Sequence, residues 1–292
     1  MINYNMPLYR PPSEANNIII QVTYGCSFNA CTFCSMYRTK KYTRRSLEDV
    51  FTDIDKMAVS SPNSNRVFLA DGDALELPTQ HLIAILQYLK KSFKRLRRVS
   101  SYASPLNLHE KTLDELILLK EHGLTLIYFG IETGDKKLLK HVVKGSTPSK
   151  MIEGLNKASS AGLKISATVI LGLAGKNEWK SHIDETAKLV NQTQINYLST
   201  LQLGLHGEEE KTFPKKFKLT FVFQDDQGML KEQIRLIKQI NTNKPIIFRS
   251  NHASNALALA GNLPRDKNRL IQELNEACAD DDLMKPSWLR GF

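Results

Sequence analysis

Apolar residues gather in short, β-branched runs: Ile18 to Thr23, Arg66 to Ala70, Val99 to Tyr102, Leu124 to Ile131, Lys164 to Leu171 and Ile195 to Leu203. Runs of this length, without strict polar alternation, predict strands buried on both faces. The segments between them carry a helical period. Ser46 and Asp49 form a capping signal ahead of a stripe of Leu47, Val50, Phe51 and Ile54, and Leu82, Ile85, Leu86 and Leu89 repeat the stripe. Thr112 and Glu115 open a third helix that Gly123 can close, and Thr147 with Pro148 opens a fourth that Gly162 can close. Strand starts lie 25 to 48 residues apart, room for a strand, a loop, a crossover helix and a second loop. The expected fold is α/β, a partial (β/α)6 TIM-like barrel, in which ligands collect at the carboxyl ends of the strands.

Beyond Leu203 the repeat weakens into His206-Gly207-Glu208, an apolar Phe217 to Phe223, a helix near Gln227 to Ile240 and a short strand, Ile246 to Phe248. The expected organisation is an N-terminal arm over 1–14, a core barrel over 15–205 and a C-terminal α/β extension over 206–292 that covers the barrel.

Composition adds exclusions. The 292 residues are 41% hydrophobic and 24% charged, which rules out a disordered, collagen-like or coiled-coil chain as a whole. The longest apolar run, Ile165 to Gly175, falls well short of the ~20 residues that span a bilayer, and the first ten residues hold no apolar signal core, so a cytoplasmic protein with no membrane partner is expected. The net charge of +10 includes two clusters, Lys40, Lys41, Arg44 and Arg45, then Lys90, Lys91, Lys94, Arg95, Arg97 and Arg98. Such clusters suit a solvated helix face, RNA or an acidic electron-donor protein.

The chemistry concentrates in Cys26, Cys31 and Cys34, three of the four cysteines, on the loop that follows the first strand. Without a secretion signal, thiols this close point to a metal centre. Two centres fit: a Cys3His zinc site completed by a histidine such as His252, or a 4Fe–4S cluster with one iron left without a protein ligand. A further donor set, Arg249, His252 and Asn255, follows the strand at Ile246 to Phe248, and His206 with Glu208 offers a weaker version after the sixth strand.

The segment from residue 15 to 205 resembles the radical S-adenosylmethionine (SAM) superfamily. The three cysteines after the first strand carry the resemblance, with Phe33 at the aromatic position before the last; four residues separate Cys26 from Cys31, where the family usually has three. The resemblance implies a 4Fe–4S cluster on Cys26, Cys31 and Cys34, and SAM as the second cofactor. It implies a cofactor contact from Phe33, and SAM contacts from Asp71, Gly72 and Asp73 after the second strand, from Glu132 after the fourth, and from the Gly172–Leu173 turn after the fifth. The implied reaction is reductive cleavage of SAM to a 5′-deoxyadenosyl radical that abstracts a hydrogen atom from a substrate, a small molecule or RNA. Arg249 and His252 are the expected catalytic contacts, and a one-electron donor such as flavodoxin or ferredoxin is the expected partner. Cys278 alone cannot build a second cysteine-ligated cluster, which counts against methylthio-transfer. The pattern looks closer to the anaerobic porphyrinogen oxidases and tRNA-modifying enzymes than to biotin synthase. Two other classes remain open at this level: an RNA-binding protein with a structural metal, and an iron–sulfur electron carrier without catalysis.

Overall fold

The computed structural model describes residues 2–205, 207–217 and 220–291. Its strands are β1 (Ile18–Gln21), β2 (Thr23–Tyr24), β3 (Thr43–Arg44), β4 (Arg66–Ala70), β5 (Arg98–Ala103), β6 (Leu124–Glu132), β7 (Lys164–Leu171), β8 (Tyr197–Gln202), β9 (Ile246–Ser250) and β10 (Leu259–Leu263). Its helices are α1 (Leu47–Ser60), α2 (Thr79–Ser92), α3 (Pro105–Glu110), α4 (Leu113–Glu121), α5 (Lys136–His141), α6 (Pro148–Ser160), α7 (Gly175–Asn191), α8 (Glu208–Thr212), α9 (Asp226–Gln239) and α10 (Lys267–Ala279). Eight strands form one open sheet in the order β1-β4-β5-β6-β7-β8-β9-β10, and β2 pairs with β3 in a small second sheet. The expected α/β class and its six parallel strands are present. Beyond β8 the chain adds β9, parallel to β8, and β10, antiparallel to β9. No helix among the described residues is long and apolar enough to cross a membrane.

The chain divides into two compact units. The first comprises Met1–Asn29, Met36–Phe129 and Asn156–Ile165. Here β1 pairs in parallel with β4, and β4 with β5, so that Ile19 lies beside Phe68 and Phe68 beside Ser100. Strand residues Ile20, Val67 and Phe68 are fully buried, as two-sided burial requires. The flanking helices start where local chemistry directs. Ser46 accepts the Asp49 amide at the head of α1, and Thr112 and Glu115 cap α4 reciprocally. Gly123 follows α4 at φ 113°, a left-handed conformation that a side chain would resist.

The second unit comprises Ala30–Ser35, Gly130–Leu155 and Ser166–Phe292. Its β7 and β8 pair in parallel from Ser166↔Tyr197 to Leu171↔Gln202. A cluster of Leu138, Val142, Ile170, Leu173, Ala174 and Phe213 forms part of its core, with Phe33, Leu203, Leu205, Phe217 and Phe221 packed on it.

Candidate functional site

In the first unit the chain leaves β1, forms β2 and enters the cysteine loop, which returns through β3. Pairing of Thr23 with Arg44 and of Tyr24 with Thr43 closes the loop's base. Asp71, fully buried after β4, anchors its first residues. One carboxylate oxygen accepts the Gly25 amide at 3.0 Å and the Lys40 ammonium at 2.6 Å; the other accepts from Gln21 Nε2 at 3.1 Å. The Asp71 amide donates to Thr23 Oγ1. Both oxygens therefore serve the protein, and Asp71 fixes the backbone one residue ahead of Cys26. Lys40 completes the clamp by donating to the carbonyls of Asn5 and Pro7.

Gly72 follows Asp71 where no larger residue fits: a methyl group there would run into the Tyr37 ring and lie 3.3 Å from Cys26 Cβ. Its amide donates to the Gly25 carbonyl at 3.1 Å. Asp73 is also buried. One oxygen accepts from the Ser27 hydroxyl, while Oδ1 has no partner of normal hydrogen-bond geometry. Burial pushes the Asp73 carboxyl above its usual range against the opposing pull of the Ser27, Asn107 and Ser104 side chains. The Asn107 amide nitrogen, also buried, makes no hydrogen bond of normal geometry, and the Asn107 oxygen is taken by the Ser104 amide in the cap of α3.

In the second unit Cys31 and Cys34 are half-buried, and the Cys34 amide donates to the Cys31 carbonyl at 3.2 Å. Between them, Thr32 donates its amide to the Val142 carbonyl at 3.0 Å, tying this part of the loop to the end of α5. Phe33 packs on the cluster that contains Leu173, so these two expected cofactor contacts share one apolar patch. Glu132 ends β6 at φ 60°, a strained conformation for a residue with a side chain, and its carboxylate meets the Lys144 ammonium at 2.7 Å. Gly130 leaves the space that this folded-back carboxylate occupies. Burial alone would lower the Lys144 pKa; Glu132 and the Cys31 and Cys34 thiols outweigh it, and the ammonium is held above its ordinary range. The ammonium also lies 5.9 Å from the centre of the Phe33 ring.

The turn after β7 runs Gly172-Leu173-Ala174-Gly175. Gly172 stands at φ 78°, and its amide donates to Glu232 on α9 at 2.7 Å. His182, buried on α7, bridges the ends of two strands through Thr133 Oγ1 and the Ile170 carbonyl, and burial lowers its pKa to about 4.

Arg249 and His252 do not share a setting. Arg249 on β9 stacks its guanidinium 5.3 Å from the centre of the Tyr197 ring. His252, half-buried in the following loop, turns Nδ1 toward the Ser254 amide and hydroxyl, so its neutral ring carries the proton on Nε2. Asn255 is fully engaged, accepting from the Gln202 amide and donating to the Thr200 carbonyl and the Ser250 hydroxyl. Glu208 is exposed in the first turn of α8, and His206 lies outside the described residues.

The residues fit the implied cofactors. Three thiols within nine residues suit an iron–sulfur cluster, and the close-packed Gly72 leads to a buried carboxylate with an unused oxygen in Asp73. No three His, Cys, Asp or Glu side chains among the described residues are already gathered around a metal position. Lys144, His182 and Glu232 were not singled out by the sequence patterns, and Lys40 stood out only as a member of a basic cluster.

A Methanocaldococcus jannaschii protein described as a putative methylthiotransferase is 26% identical over 193 residues, covering 61% of this chain and 41% of that protein. The chain spans about two fifths of the length of the curated relatives it matches. Among solved structures, coproporphyrinogen III oxidase of Escherichia coli, a radical SAM enzyme, superposes with a TM-score of 0.57 at 18% identity, over 77% of this chain and 52% of that one. A radical SAM methyltransferase of Kitasatospora setae, solved with cobalamin and a 4Fe–4S cluster, gives a TM-score of 0.52 at 16% identity over 65% and 37%. Residues 20–190, more than half of the sequence, match the family model of the Radical SAM superfamily, and the chain belongs to that superfamily, whose cofactors are a 4Fe–4S cluster and SAM.

Proposed function

We propose that the protein is a single-cluster radical SAM enzyme in which Cys26, Cys31 and Cys34 hold the cluster. When bound, the cluster and SAM supply one-electron cleavage of the sulfonium and a carbon radical that removes a hydrogen atom from a substrate. The protein's own contribution is to position, to exclude water and to place charge. The observation that carries the reading is the clamp on the cysteine loop: Asp71 grips the Gly25 amide and the Lys40 ammonium, two groups that flank all three cysteines in sequence.

Gly72 and Asp73 serve the amino group of SAM, with Asp73 supplying the unused oxygen. Glu132 and Lys144 offer an acceptor and a cation to the polar parts of the same molecule, and the Gly172–Leu173 turn meets its adenine. His252 presents an Nε2–H donor to an oxygen of the substrate. Arg249 adds a cation from β9, and residues 206–292 act as the extension that completes the substrate side. A flavodoxin- or ferredoxin-like protein delivers the electron. These 292 residues hold one further cysteine, Cys278, whose pKa burial raises on α10; they therefore supply thiols for one cluster.

Anaerobic reconstitution with iron and sulfide tests the reading. We expect about four irons per chain and an EPR signal of the reduced cluster that shifts when SAM is added. Zinc uptake in place of iron, or a cluster signal indifferent to SAM, would overturn it.

A further inference from the structure

Glu232 is a fully buried carboxylate on α9 with no cation beside it among the described residues. One oxygen accepts the Gly172 amide at 2.7 Å and the other accepts from Gln224 Nε2 at 3.1 Å. Met229, one helical turn earlier, packs on the same glycine: a Cβ on Gly172 would stand 3.0 Å from its sulfur. Glu232 and Met229 thus occupy one face of α9 and together grip the first residue of the turn. The rest of the turn is closed by the Gly175 amide on the Gly172 carbonyl at 3.0 Å, and its exit is held by the Lys176 amide on the Val222 carbonyl at 2.9 Å.

We infer that Glu232 is the positioning residue of the turn after β7, holding the Gly172–Gly175 backbone in the conformation that receives the adenine of SAM. The inference rests on the radical SAM reading for the identity of the ligand, but the grip itself is a property of the protein alone. A carboxylate is needed because it can accept two donors through two separate oxygens, whereas a glutamine offers one acceptor oxygen. Ionising a buried carboxyl without a cation is costly, and the hydrogen bonds from Gly172 and Gln224 are what favour the ionised form.

Among the described residues, several charged groups of the helices packed on α9 have partners of their own. On α7, Lys176 pairs with Asp225 and Asp184 pairs with Arg235 of α9; Asp226 at the start of α9 pairs with Arg290; on α10, Arg269 pairs with Glu273 and Lys267 donates to the Ile240 carbonyl. Burial therefore acts on Glu232 unopposed except by its two hydrogen bonds, and raises its pKa to about 7. Near neutrality the side chain is divided between a carboxylate with two free acceptors and an acid with one oxygen carrying a proton.

The test uses the full chain and two readouts. Hydrogen exchange of the 171–176 segment, corrected for intrinsic exchange chemistry, is expected to slow as pH rises through 7 in the wild type. In Glu232→Gln, which preserves shape and one acceptor, that dependence is expected to vanish. In the reconstituted enzyme, Glu232→Ala is expected to raise KM for SAM about tenfold, the worth of one hydrogen bond to a charged group, with kcat for 5′-deoxyadenosine formation changing less. Glu232→Gln should fall between and lose the pH dependence of that KM. Persistence of the pH dependence in Glu232→Gln, or an unchanged KM in a folded Glu232→Ala, would overturn the assignment. A wild type that shows the exchange pattern yet never cleaves SAM would overturn the proposed function and with it the adenine, leaving the grip on Gly172 standing.

Discussion

Lys40 and Asp71 meet at 2.6 Å with side chains only 5% and 0% exposed, so the pair that flanks the cysteine loop is a buried ion pair rather than a surface one. Removing one partner of such a pair strands the other charge, at a cost of about 3–5 kcal/mol. Asp71→Ala also strips the Gly25 amide of its acceptor. We expect urea denaturation to show a loss of that size for Asp71→Ala and a smaller loss for Asp71→Asn, which keeps an oxygen for Gly25. Iron content after reconstitution should follow the same order.

Gly72 and the Tyr37 ring form a tight contact with Cys26 beside it. Gly72→Ala is predicted to cost about 1–3 kcal/mol through overpacking and to lower iron content. Shrinking the ring should relieve it: the double variant Gly72→Ala, Tyr37→Leu is expected to recover iron content relative to Gly72→Ala alone. No recovery would assign the glycine's role to backbone freedom instead of space.

Glu132 and Lys144 pose the same problem in the second unit, with side chains 10% and 11% exposed. Glu132→Gln leaves the Lys144 ammonium with only the Cys31 and Cys34 thiols to favour it, and Lys144→Met leaves the Glu132 carboxylate without its cation. The double variant should be more stable than the sum of the single losses, with a coupling energy of about 0.5–3 kcal/mol measured by denaturant unfolding.

Two buried groups shape the pH dependence of stability in opposite senses. His182, lowered to about 4, is neutral when folded; between pH 4 and its ordinary 6.5 the unfolded chain binds more protons, so stability is lost as pH falls. Glu232, raised from 4.5 to about 7, is protonated when folded over that range; there the native state binds more protons, so stability is lost as pH rises. The slopes oppose one another between pH 4.5 and 6.5. Glu232→Gln should uncover the His182 slope, a gain of up to about 1.4 kcal/mol per pH unit on raising the pH through that interval. Thermal or urea unfolding at fixed pH values would measure it.

The strands were legible where two-sided burial writes itself into composition. The runs Arg66–Ala70 and Lys164–Leu171 coincide with β4 and β7 residue for residue, and the caps at Ser46 and Thr112 start their helices. The pair β2–β3 and the strand β10 were not. Two residues carry no period, and Leu259–Leu263 contains Gly261 and Asn262, so it is a strand because β9 pairs with it. The cysteines announced themselves by spacing. What could not be read was the division of labour between Asp71 and Asp73, since that depends on Lys40, 31 residues from Asp71 along the chain. Lys144 follows Val142 and Val143 with no pattern to mark it, and Glu232 sits between Lys231 and Gln233, so only the packing of α9 onto the β7 turn singles Glu232 out.

In the proposed function this chain cleaves SAM with a cluster held by the loop that Asp71 fastens. The most direct measurement is the yield of 5′-deoxyadenosine from the anaerobically reconstituted protein given SAM and dithionite, beside Cys34→Ala treated identically. The wild type is expected to yield 5′-deoxyadenosine and the variant none above background; equal yields from the two, or none from a wild type carrying its full iron, would contradict the proposed function.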